Sequence, residues 1–143
     1  MINPEDIINL NNKMIENNIN IGTLGTDLKN DSILENENVV KVVTEKKLDA
    51  NNFAKAKNFF RKNSNDNNLN VYHHIGVYAY KVSTLEKFIS LQQTKNEIQK
   101  RLEQLRALDN NIDIMVVLAK SSPIGVDTKE DFLAIKKIME YKS

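Results

Sequence analysis

The spacing of apolar residues predicts helices at four places along the chain. The first begins near Asn3, which can cap a helix, and two more begin at capping boxes formed by Ser83 with Glu86 and Thr94 with Glu97. An amphipathic helix closes the chain. The apolar residues expected to face the core from these helices are Ile7, Leu10, Met14, Ile98, Leu102, Leu105, Leu108, Phe132, Ile135 and Met139.

Four segments carry the β-branched and aromatic residues that are typical of strands. They are "INIGTLGT" (19–26), "NVVKVV" (38–43), "VYHHIGVYAY" (71–80) and "IDIMVVLA" (112–119). The intervening "NFAKAKNFFRK" is expected to be helical or irregular. Because helices and strands alternate, the pattern predicts one α/β domain over residues 1–143 with a largely parallel sheet.

The composition is that of a globular protein and excludes several classes of function. The 143 residues are 41% hydrophobic and 27% charged, as in ordinary single domains. A net charge of +1 gives no electrostatic reason to expect nucleic acid or an acidic membrane as a partner. The chain has no cysteine, which excludes disulfides, zinc-thiolate sites and thiol nucleophiles. No apolar run is long enough to span a membrane, so a cytoplasmic location is expected.

The segment "VYHHIGVYAY" holds both histidines and three of the four tyrosines of the chain. Side chains alternate along a strand, so His74, Gly76 and Tyr78 share one face. Gly76 leaves space between an imidazole and a phenol, which can both exchange hydrogen bonds with a polyhydroxylated ligand. A β-bulge glycine between packed aromatic residues is the alternative, and the pattern alone slightly favours it.

Two short polar stretches offer further candidates. In "LEQLR" the leucines face the core while Glu103 and Gln104 project sideways, although a local pair of Glu103 with Arg106 on an exposed helix is the simpler interpretation. In "GVDTKED" the carboxylate of Asp127 could bind Mg²⁺, or it could cap the last helix together with Glu130. A cap leaves carboxylate lone pairs unused, so both roles can hold at once.

Together these stretches resemble a known family. "YHHIGVYAYKVSTLEKF", "LEQLRAL" and "GVDTKEDF", in this order, look like the C-terminal half of 3-deoxy-manno-octulosonate cytidylyltransferases, and "NENVVKVV" is similar to the family's N-P-N-x-V-K-V-V with Glu37 in place of proline. The resemblance implies a three-layer, Rossmann-like nucleotidyltransferase fold, incomplete at the amino end, and a homodimer. It also implies a reaction of CTP with 3-deoxy-D-manno-octulosonate (Kdo), using Mg²⁺, that gives CMP-Kdo and pyrophosphate for lipopolysaccharide synthesis.

The resemblance further implies roles for particular residues. Those that it places at the Kdo site are His74, Tyr78, Glu103, Gln104 and Arg61. Asp127 is implied to be a Mg²⁺ ligand, and no covalent enzyme nucleophile is required. Besides Glu37, three positions depart from the family pattern, with His73 in place of arginine, Phe60 in place of serine and Lys100 in place of glutamate. We therefore assign His73 no role.

The resemblance does not reach the nucleotide site. Neither the family's CTP loop, P-A-R-x-x-S-x-R-L-P-x-K, nor its G-D-E-P metal segment occurs in the 143 residues, and G-x-G-x-x-G and P-loop motifs do not occur either. Three interpretations follow: a truncated enzyme, one half of a split enzyme with a separately encoded N-terminal half, or a non-catalytic module for sugar-acid binding or dimerisation. We favour the first, because missing opening strands should leave an unprotected sheet edge.

Overall fold

The computed structural model describes residues 2–28, 31–62, 70–121, 123 and 129–140. The helices in this part of the chain are α1 (Pro4–Glu16), α2 (Asp31–Glu35), α3 (Val82–Ser90), α4 (Lys95–Lys100), α5 (Leu105–Asp109) and α6 (Lys129–Glu140). The strands are β1 (Ile21–Thr26), β2 (Lys41–Thr44), β3 (Phe53–Phe60), β4 (Val71–Tyr80) and β5 (Ile114–Leu118). All four predicted strands are present, and β3 is an addition to them.

The strands close into a barrel in the order β1-β4-β2-β3-β5. β1 runs parallel to β5, and the other four pairs are antiparallel. The α/β class is therefore confirmed, but the prediction of a largely parallel sheet is wrong, because the sheet is mixed. A parallel neighbour needs a long crossover connection, whereas β2 and β3 follow each other with no helix between them.

Closure also overturns the expected open sheet edge. Each of the five strands pairs with two neighbours, because β1 and β5, the ends of the order, pair with each other. No whole strand is left as an edge, although β4 pairs with β2 only at Val71, Tyr72 and His73. The argument that favoured a truncated enzyme on the basis of an exposed edge does not hold for this barrel.

Strand β3 is the element that the sequence pattern failed to predict. Its residues, "FAKAKNFF", alternate buried and less buried positions, with Ala54, Ala56 and Phe59 inside. Alanine and lysine are poor strand formers, so their local preference hides the alternation. The pairing of β3 with β2 and β5 decides the conformation instead.

Helix α1 begins at the predicted cap, and Leu10 and Met14 face the core as predicted, whereas Ile7 is 44% exposed. The Asn3 side chain accepts a hydrogen bond from the Glu5 backbone N–H at 3.0 Å. Leu10 and Met14 are buried against Gly22 of β1, where an added Cβ would lie 2.9 Å from each side chain. The absence of a side chain in the strand thus allows the helix to approach closely.

The helices after β4 differ from the prediction in two ways. Helix α3 has Lys81 at its N-cap and no side-chain cap, so the capping box of Ser83 is wrong, whereas that of Thr94 is confirmed. The single helix expected from Thr94 to Leu108 is broken, because Arg101 adopts the left-handed conformation with φ of 53°. This break places Glu103 and Gln104 in the turn before α5.

The buried residues form two apolar clusters. One joins the barrel strands to α3 and α5 and includes Phe59, Tyr72, Phe88, Leu105 and Val116. The other lies between α1 and the barrel and includes Leu10, Met14, Leu24, Ile75 and Val117. Of the apolar residues predicted to face inward, Ile98, Phe132 and Met139 are more than half exposed. No helix in the described part of the chain is long and apolar enough to cross a membrane.

Candidate functional site

A row of aromatic rings runs along β4 and marks the candidate site. The ring of His74 lies 5.1 Å from Phe59 of β3 and 5.5 Å from Tyr78, measured between ring centroids. Tyr78 lies 6.0 Å from Tyr80, which lies 6.0 Å from Phe88 of α3. The structure therefore brings together His74 and Tyr78, as predicted, and adds Phe59 and Phe88 to their surroundings.

The pairing of β4 with β1 is irregular at Gly76. Thr23 faces Tyr78 and the next residue, Leu24, faces Ile75, so residues 76 and 77 have no counterpart on β1. Gly76 is exposed, and a Cβ built on it would meet no atom within 4 Å. The predicted β-bulge at Gly76 is therefore present, and open space lies beside the glycine, whereas a ligand site there stays a prediction.

His74 is a buried and neutral imidazole. Only 7% of the residue is exposed, and its Nε2 lies 3.0 Å from the hydroxyl oxygen of Thr23. Burial, and secondarily the charge of His73, lowers the pKa of His74 from 6.5 to about 4. At neutral pH the ring therefore has one N–H donor and one nitrogen acceptor.

Tyr78 has a buried hydroxyl group that lacks a hydrogen-bond partner among the described residues. Burial is the main reason that the pKa of Tyr78 is raised, followed by the charges of Tyr80 and Glu103, so the phenol keeps its proton. Buried hydroxyl groups are nearly always paired, because an unpaired one loses its hydration without compensation. This hydroxyl is therefore free to bond a group from outside the described part of the chain.

Glu103 lies close to this row of rings. Its charge contributes to raising the pKa of both Tyr78 and Tyr80. The predicted pair with Arg106 is present at 3.7 Å, and the Glu103 side chain remains 70% exposed. Gln104, which follows it, is half-buried at the start of α5. The structure thus adds the Glu103 carboxylate to the surroundings of Tyr78.

The main partner of Arg106 is Glu97, which the sequence pattern did not reveal. The guanidinium donates from Nε to Glu97 Oε2 at 2.8 Å and from Nη2 to Oε1 at 2.5 Å. It also lies 4.9 Å from the ring of Phe88. Arg106 consequently joins α3, α4 and α5 around the turn that carries Glu103.

Arg61 follows β3 and lies at the end of the barrel where β2 begins. Its guanidinium donates to the backbone carbonyl of Asn38 at 3.2 Å, and the residue is exposed. Lys41 faces Phe60 of β3 on one side and His73 of β4 on the other. Arg61 therefore lies next to β3, with β2 between it and the end of β4 that carries His73.

Lys41 anchors this corner of the barrel. It is fully buried, and its ammonium group donates to the backbone carbonyls of Asn36, Val39 and Arg61. Burial, and then the charge of Arg61, lowers the pKa of Lys41. The sequence "VVKVV" contained a signal for this buried amine. Alternate residues of a strand share a face, so Lys41 lies on the same face as the valines two positions before and after it.

The predicted Mg²⁺ ligand, Asp127, lies outside the described residues. Within the described ranges, no three His, Asp or Glu side chains group as metal ligands do. The magnesium site therefore stays a prediction, and no step of the chemistry below is derived through it.

The fold has a solved counterpart. A structure of CMP:2-keto-3-deoxy-manno-octonic acid synthetase complexed with CTP matches with a TM-score of 0.83 and 24% sequence identity. The match covers 100% of this chain and 58% of the other. The α/β barrel with its row of rings thus has the fold of a portion of a nucleotide-sugar synthetase.

The sequence comparisons identify the family. The profile of the cytidylyltransferase family matches residues 1–114, so the chain belongs to that family and the predicted resemblance is confirmed. The 3-deoxy-manno-octulosonate cytidylyltransferase of Bartonella bacilliformis is 37% identical over 138 residues, covering 96% of this chain and 56% of the relative. That of Brucella anthropi is 40% identical over 111 residues, covering 78% and 44%. The chain spans about half the length of these relatives.

Proposed function

We propose that this chain is the sugar-acid-binding portion of a 3-deoxy-manno-octulosonate cytidylyltransferase, which joins CTP and Kdo to give CMP-Kdo and pyrophosphate. One observation carries the proposal: the unpartnered hydroxyl of Tyr78 lies beside His74 and near the carboxylate of Glu103. Gly76 leaves open space on the same strand. A ligand with several hydroxyl groups would supply the partner that the Tyr78 hydroxyl lacks among the described residues, and could also bond His74 and Glu103.

We propose that different side chains bind the carboxylate and the hydroxyl groups of Kdo. Arg61 carries a permanent positive charge and a planar set of donors, which suits the carboxylate of Kdo. Tyr78, His74, Glu103 and Gln104 can donate to or accept from its hydroxyl groups. We therefore propose that the acid group binds toward the end of β3 and the polyol toward the middle of β4.

In the proposed reaction the anomeric hydroxyl of Kdo attacks the α-phosphorus of CTP, a new P–O bond forms, and pyrophosphate leaves. Such transfers depend on alignment and on neutralisation of phosphate charge, rather than on a covalent enzyme intermediate. The residues of this chain would hold the sugar acid so that its anomeric hydroxyl faces the nucleotide. Mg²⁺, with Asp127 as a proposed ligand, would neutralise phosphate charge when bound.

Other elements of the proposal rest on the family resemblance. They are a homodimer, a place in lipopolysaccharide synthesis and a cytoplasmic location. The homodimer is supported by the exposed apolar residues of α6, which are Phe132, Leu133, Ile138 and Met139.

The closed barrel supports a second candidate function. Each strand pairs with two neighbours, as expected for a unit that folds without further strands. The chain could therefore act as one half of a split enzyme, or as a module that binds a sugar acid without turnover. Both versions retain the Kdo site. The split enzyme would have its nucleotide site on a separate chain, and the binding module would need none.

A titration of the ¹⁵N-labelled chain with Kdo tests the binding site common to these candidates. We expect chemical-shift changes at Gly76, Tyr78 and Glu103, and none along α1. N-acetylneuraminate, a sugar acid of a different shape, should produce much weaker changes. Equal responses to the two acids, or no response to Kdo at millimolar concentration, would refute the assigned site.

A matched pair of variants tests the carboxylate-binding role. Arg61→Gln should weaken Kdo binding by about tenfold or more, because hydrogen bonds to charged groups contribute about 1.5–3 kcal/mol. Lys62→Gln removes the neighbouring exposed charge, which pairs with Glu37, and should leave the affinity unchanged. Equal losses in both variants would show a general effect of charge rather than a specific contact.

A further inference from the structure

Thr23 connects the β-bulge of β4 to His74. The residue is fully buried on β1 and faces Tyr78 at the point where the pairing with β4 becomes irregular. Its hydroxyl oxygen lies 2.7 Å from the backbone carbonyl of Val77 and 3.4 Å from that of Ile75. The same oxygen lies 3.0 Å from Nε2 of His74. One hydroxyl group therefore meets two carbonyl groups and one imidazole nitrogen.

Counting protons determines which group donates in each contact. A threonine hydroxyl has one proton to donate and two lone pairs that accept. Carbonyl oxygens can only accept, and 2.7 Å is the usual length of an O–H···O bond, so the proton points to Val77. Toward His74 the hydroxyl oxygen can then only accept, which requires a hydrogen on Nε2.

The opposite tautomer, with no hydrogen on Nε2 of His74, would leave no proton between the Thr23 hydroxyl oxygen and the Val77 carbonyl oxygen. If Nε2 lacked a hydrogen, the Thr23 proton would have to point at the ring. The Val77 carbonyl would then face a bare hydroxyl oxygen at 2.7 Å, with both groups buried. Two acceptors at that distance repel each other, and the bulge carbonyl would lose its partner.

We infer that Thr23 is a positioning residue, which holds His74 in the Nε2–H tautomer and so leaves Nδ1 to accept a hydrogen bond from a hydroxyl group of the bound sugar acid. The inference deepens the proposed function and rests on it for the identity of the ligand. It also separates two roles within the site. A neutral nitrogen acceptor cannot bind a carboxylate, so His74 recognises the polyol, and the acid group is left to Arg61.

The low pKa of His74 agrees with this assignment. Burial holds it at about 4, so the ring is neutral near pH 7 and has a single N–H. The carbonyl that fixes the tautomer belongs to Val77, which has no counterpart on β1 because of the bulge. The bulge is thus more than an irregularity beside the site, since it sets the hydrogen-bonding character of His74.

The tautomer can be measured on the full chain without ligand. Long-range ¹H–¹⁵N correlation spectra at pH 7 distinguish a protonated ring nitrogen from an unprotonated one by chemical shift. The loss of signals in His74→Asn assigns the ring, with His73 as an internal comparison. We expect His74 to carry hydrogen on Nε2 alone. A hydrogen on Nδ1 alone, or on both nitrogens, would overturn the inference.

Two variants of Thr23 then separate the hydroxyl group from the shape of the side chain. Thr23→Ser keeps the hydroxyl group and should keep both ring shifts of His74. Thr23→Val keeps the branched shape but removes the hydroxyl group. In this variant the ¹⁵N shifts of the His74 ring should move toward those of a mixture of tautomers, because Nε2–H loses its acceptor. A Thr23→Val spectrum identical to that of Thr23→Ser would overturn the role of Thr23. Should Thr23→Val not fold, the spectrum of the unmodified chain still tests the tautomer.

Titration with Kdo tests the ligand part of the inference. Thr23→Val should weaken binding by about three- to tenfold relative to Thr23→Ser, which is the usual effect of one neutral hydrogen bond. On binding, the Nδ1 shift should move while Nε2 stays protonated. Protonation of both nitrogens on binding would show that His74 meets the carboxylate, and would overturn the assignment. Absence of binding to the unmodified chain would refute the proposed function, whereas the free-chain spectrum would still decide the tautomer.

Discussion

Two tyrosines of β4, Tyr72 and Tyr78, have buried hydroxyl groups with different roles, one in stability and one in the proposed binding. The hydroxyl of Tyr72 accepts a hydrogen bond from the buried Leu48 backbone N–H at 2.8 Å. That of Tyr78 is buried without a partner among the described residues. Tyr72 therefore satisfies a donor of the protein, whereas Tyr78 incurs the cost of desolvation in the free chain. This difference is what we expect of a residue that is retained for a ligand.

Removing each hydroxyl group should therefore have opposite consequences. Tyr78→Phe should leave the free energy of unfolding unchanged or slightly higher and should weaken Kdo binding. Tyr72→Phe should lower the free energy of unfolding by about 1–3 kcal/mol, because the Leu48 N–H loses its acceptor. Urea unfolding and calorimetric titration of both variants measure the two effects. A large loss of stability in Tyr78→Phe would show that its hydroxyl group has a structural partner.

The buried imidazole predicts a pH dependence of stability. Because the pKa of His74 is about 4 in the folded chain and about 6.5 when unfolded, the unfolded chain binds a proton first as the pH falls. The free energy of unfolding should thus decrease from pH 6.5 toward pH 4, by about 3 kcal/mol in total. Urea unfolding between pH 7 and pH 5 covers most of this range.

The two neighbouring histidines provide the matched control for this prediction. His74→Gln should flatten the dependence over this range, whatever its effect on stability at pH 7. His73→Gln should retain most of it, because burial is the first cause of the low pKa of His74 and the charge of His73 the second. A slope that survives in His74→Gln would have to come from other groups.

At the scale of the elements, the break between α4 and α5 forms one side of the site. Had the helix continued through Arg101, Glu103 would lie on an ordinary exposed helix face. Instead the chain turns, and Arg106 reaches back to Glu97 to join the two short helices. Helices of 6 and 5 residues have little stability of their own, so this pair and the packing beneath it hold the turn in place.

The two glutamates that contact Arg106 should therefore affect different properties. Glu97→Gln should lower the free energy of unfolding by about 1–3 kcal/mol, since it removes a charged acceptor that is only 5% exposed. Glu103→Gln removes a carboxylate that is 70% exposed, and should change stability by less than about 0.5 kcal/mol. Kdo affinity should fall in Glu103→Gln. Urea unfolding and Kdo titration of both variants distinguish the two roles.

Acid unfolding offers an independent check on the Glu97 pair. Hydrogen bonding to Arg106 is the first cause that lowers the pKa of Glu97, from 4.5 to about 2. Its contribution to stability is therefore present above pH 4.5 and lost as the pH falls through 2. Glu97→Gln should be less sensitive than the unmodified chain to pH in this range, and an unchanged sensitivity would contradict the assigned pair.

The elements also show what the sequence could and could not predict. The cap at Asn3, the capping box at Thr94 and the strands β4 and β5 were predictable, because each depends on residues close in sequence. Strand β3 and the direction of strand pairing were not, because both depend on partners far along the chain. The predicted site residues His74 and Tyr78 lie together, but Thr23 acts from another strand and left no signal in the pattern of β4.

At the scale of the whole molecule, the strands close into a barrel although the chain spans only about half the length of its relatives. The five strands pair in a ring, yet the chain covers only 56% of the Bartonella bacilliformis relative. These two facts are compatible if the sugar-acid site is built on strands that close without the nucleotide-binding segment. Sugar-acid binding and nucleotidyl transfer would then be separable properties of the family's structure.

We accordingly expect the purified 143 residues to unfold cooperatively and to bind Kdo, but not to release pyrophosphate from CTP and Kdo. We base this expectation on the sequence, which contains neither a G-x-G-x-x-G nor a P-loop motif to offer backbone amides to a triphosphate. Adding the segment of the Bartonella bacilliformis relative that this chain does not cover should restore Mg²⁺-dependent release if the nucleotide half can be supplied separately. Tyr78→Phe in the same mixture should reduce that turnover. Release by the 143 residues alone would show instead that the barrel contains a triphosphate site of its own.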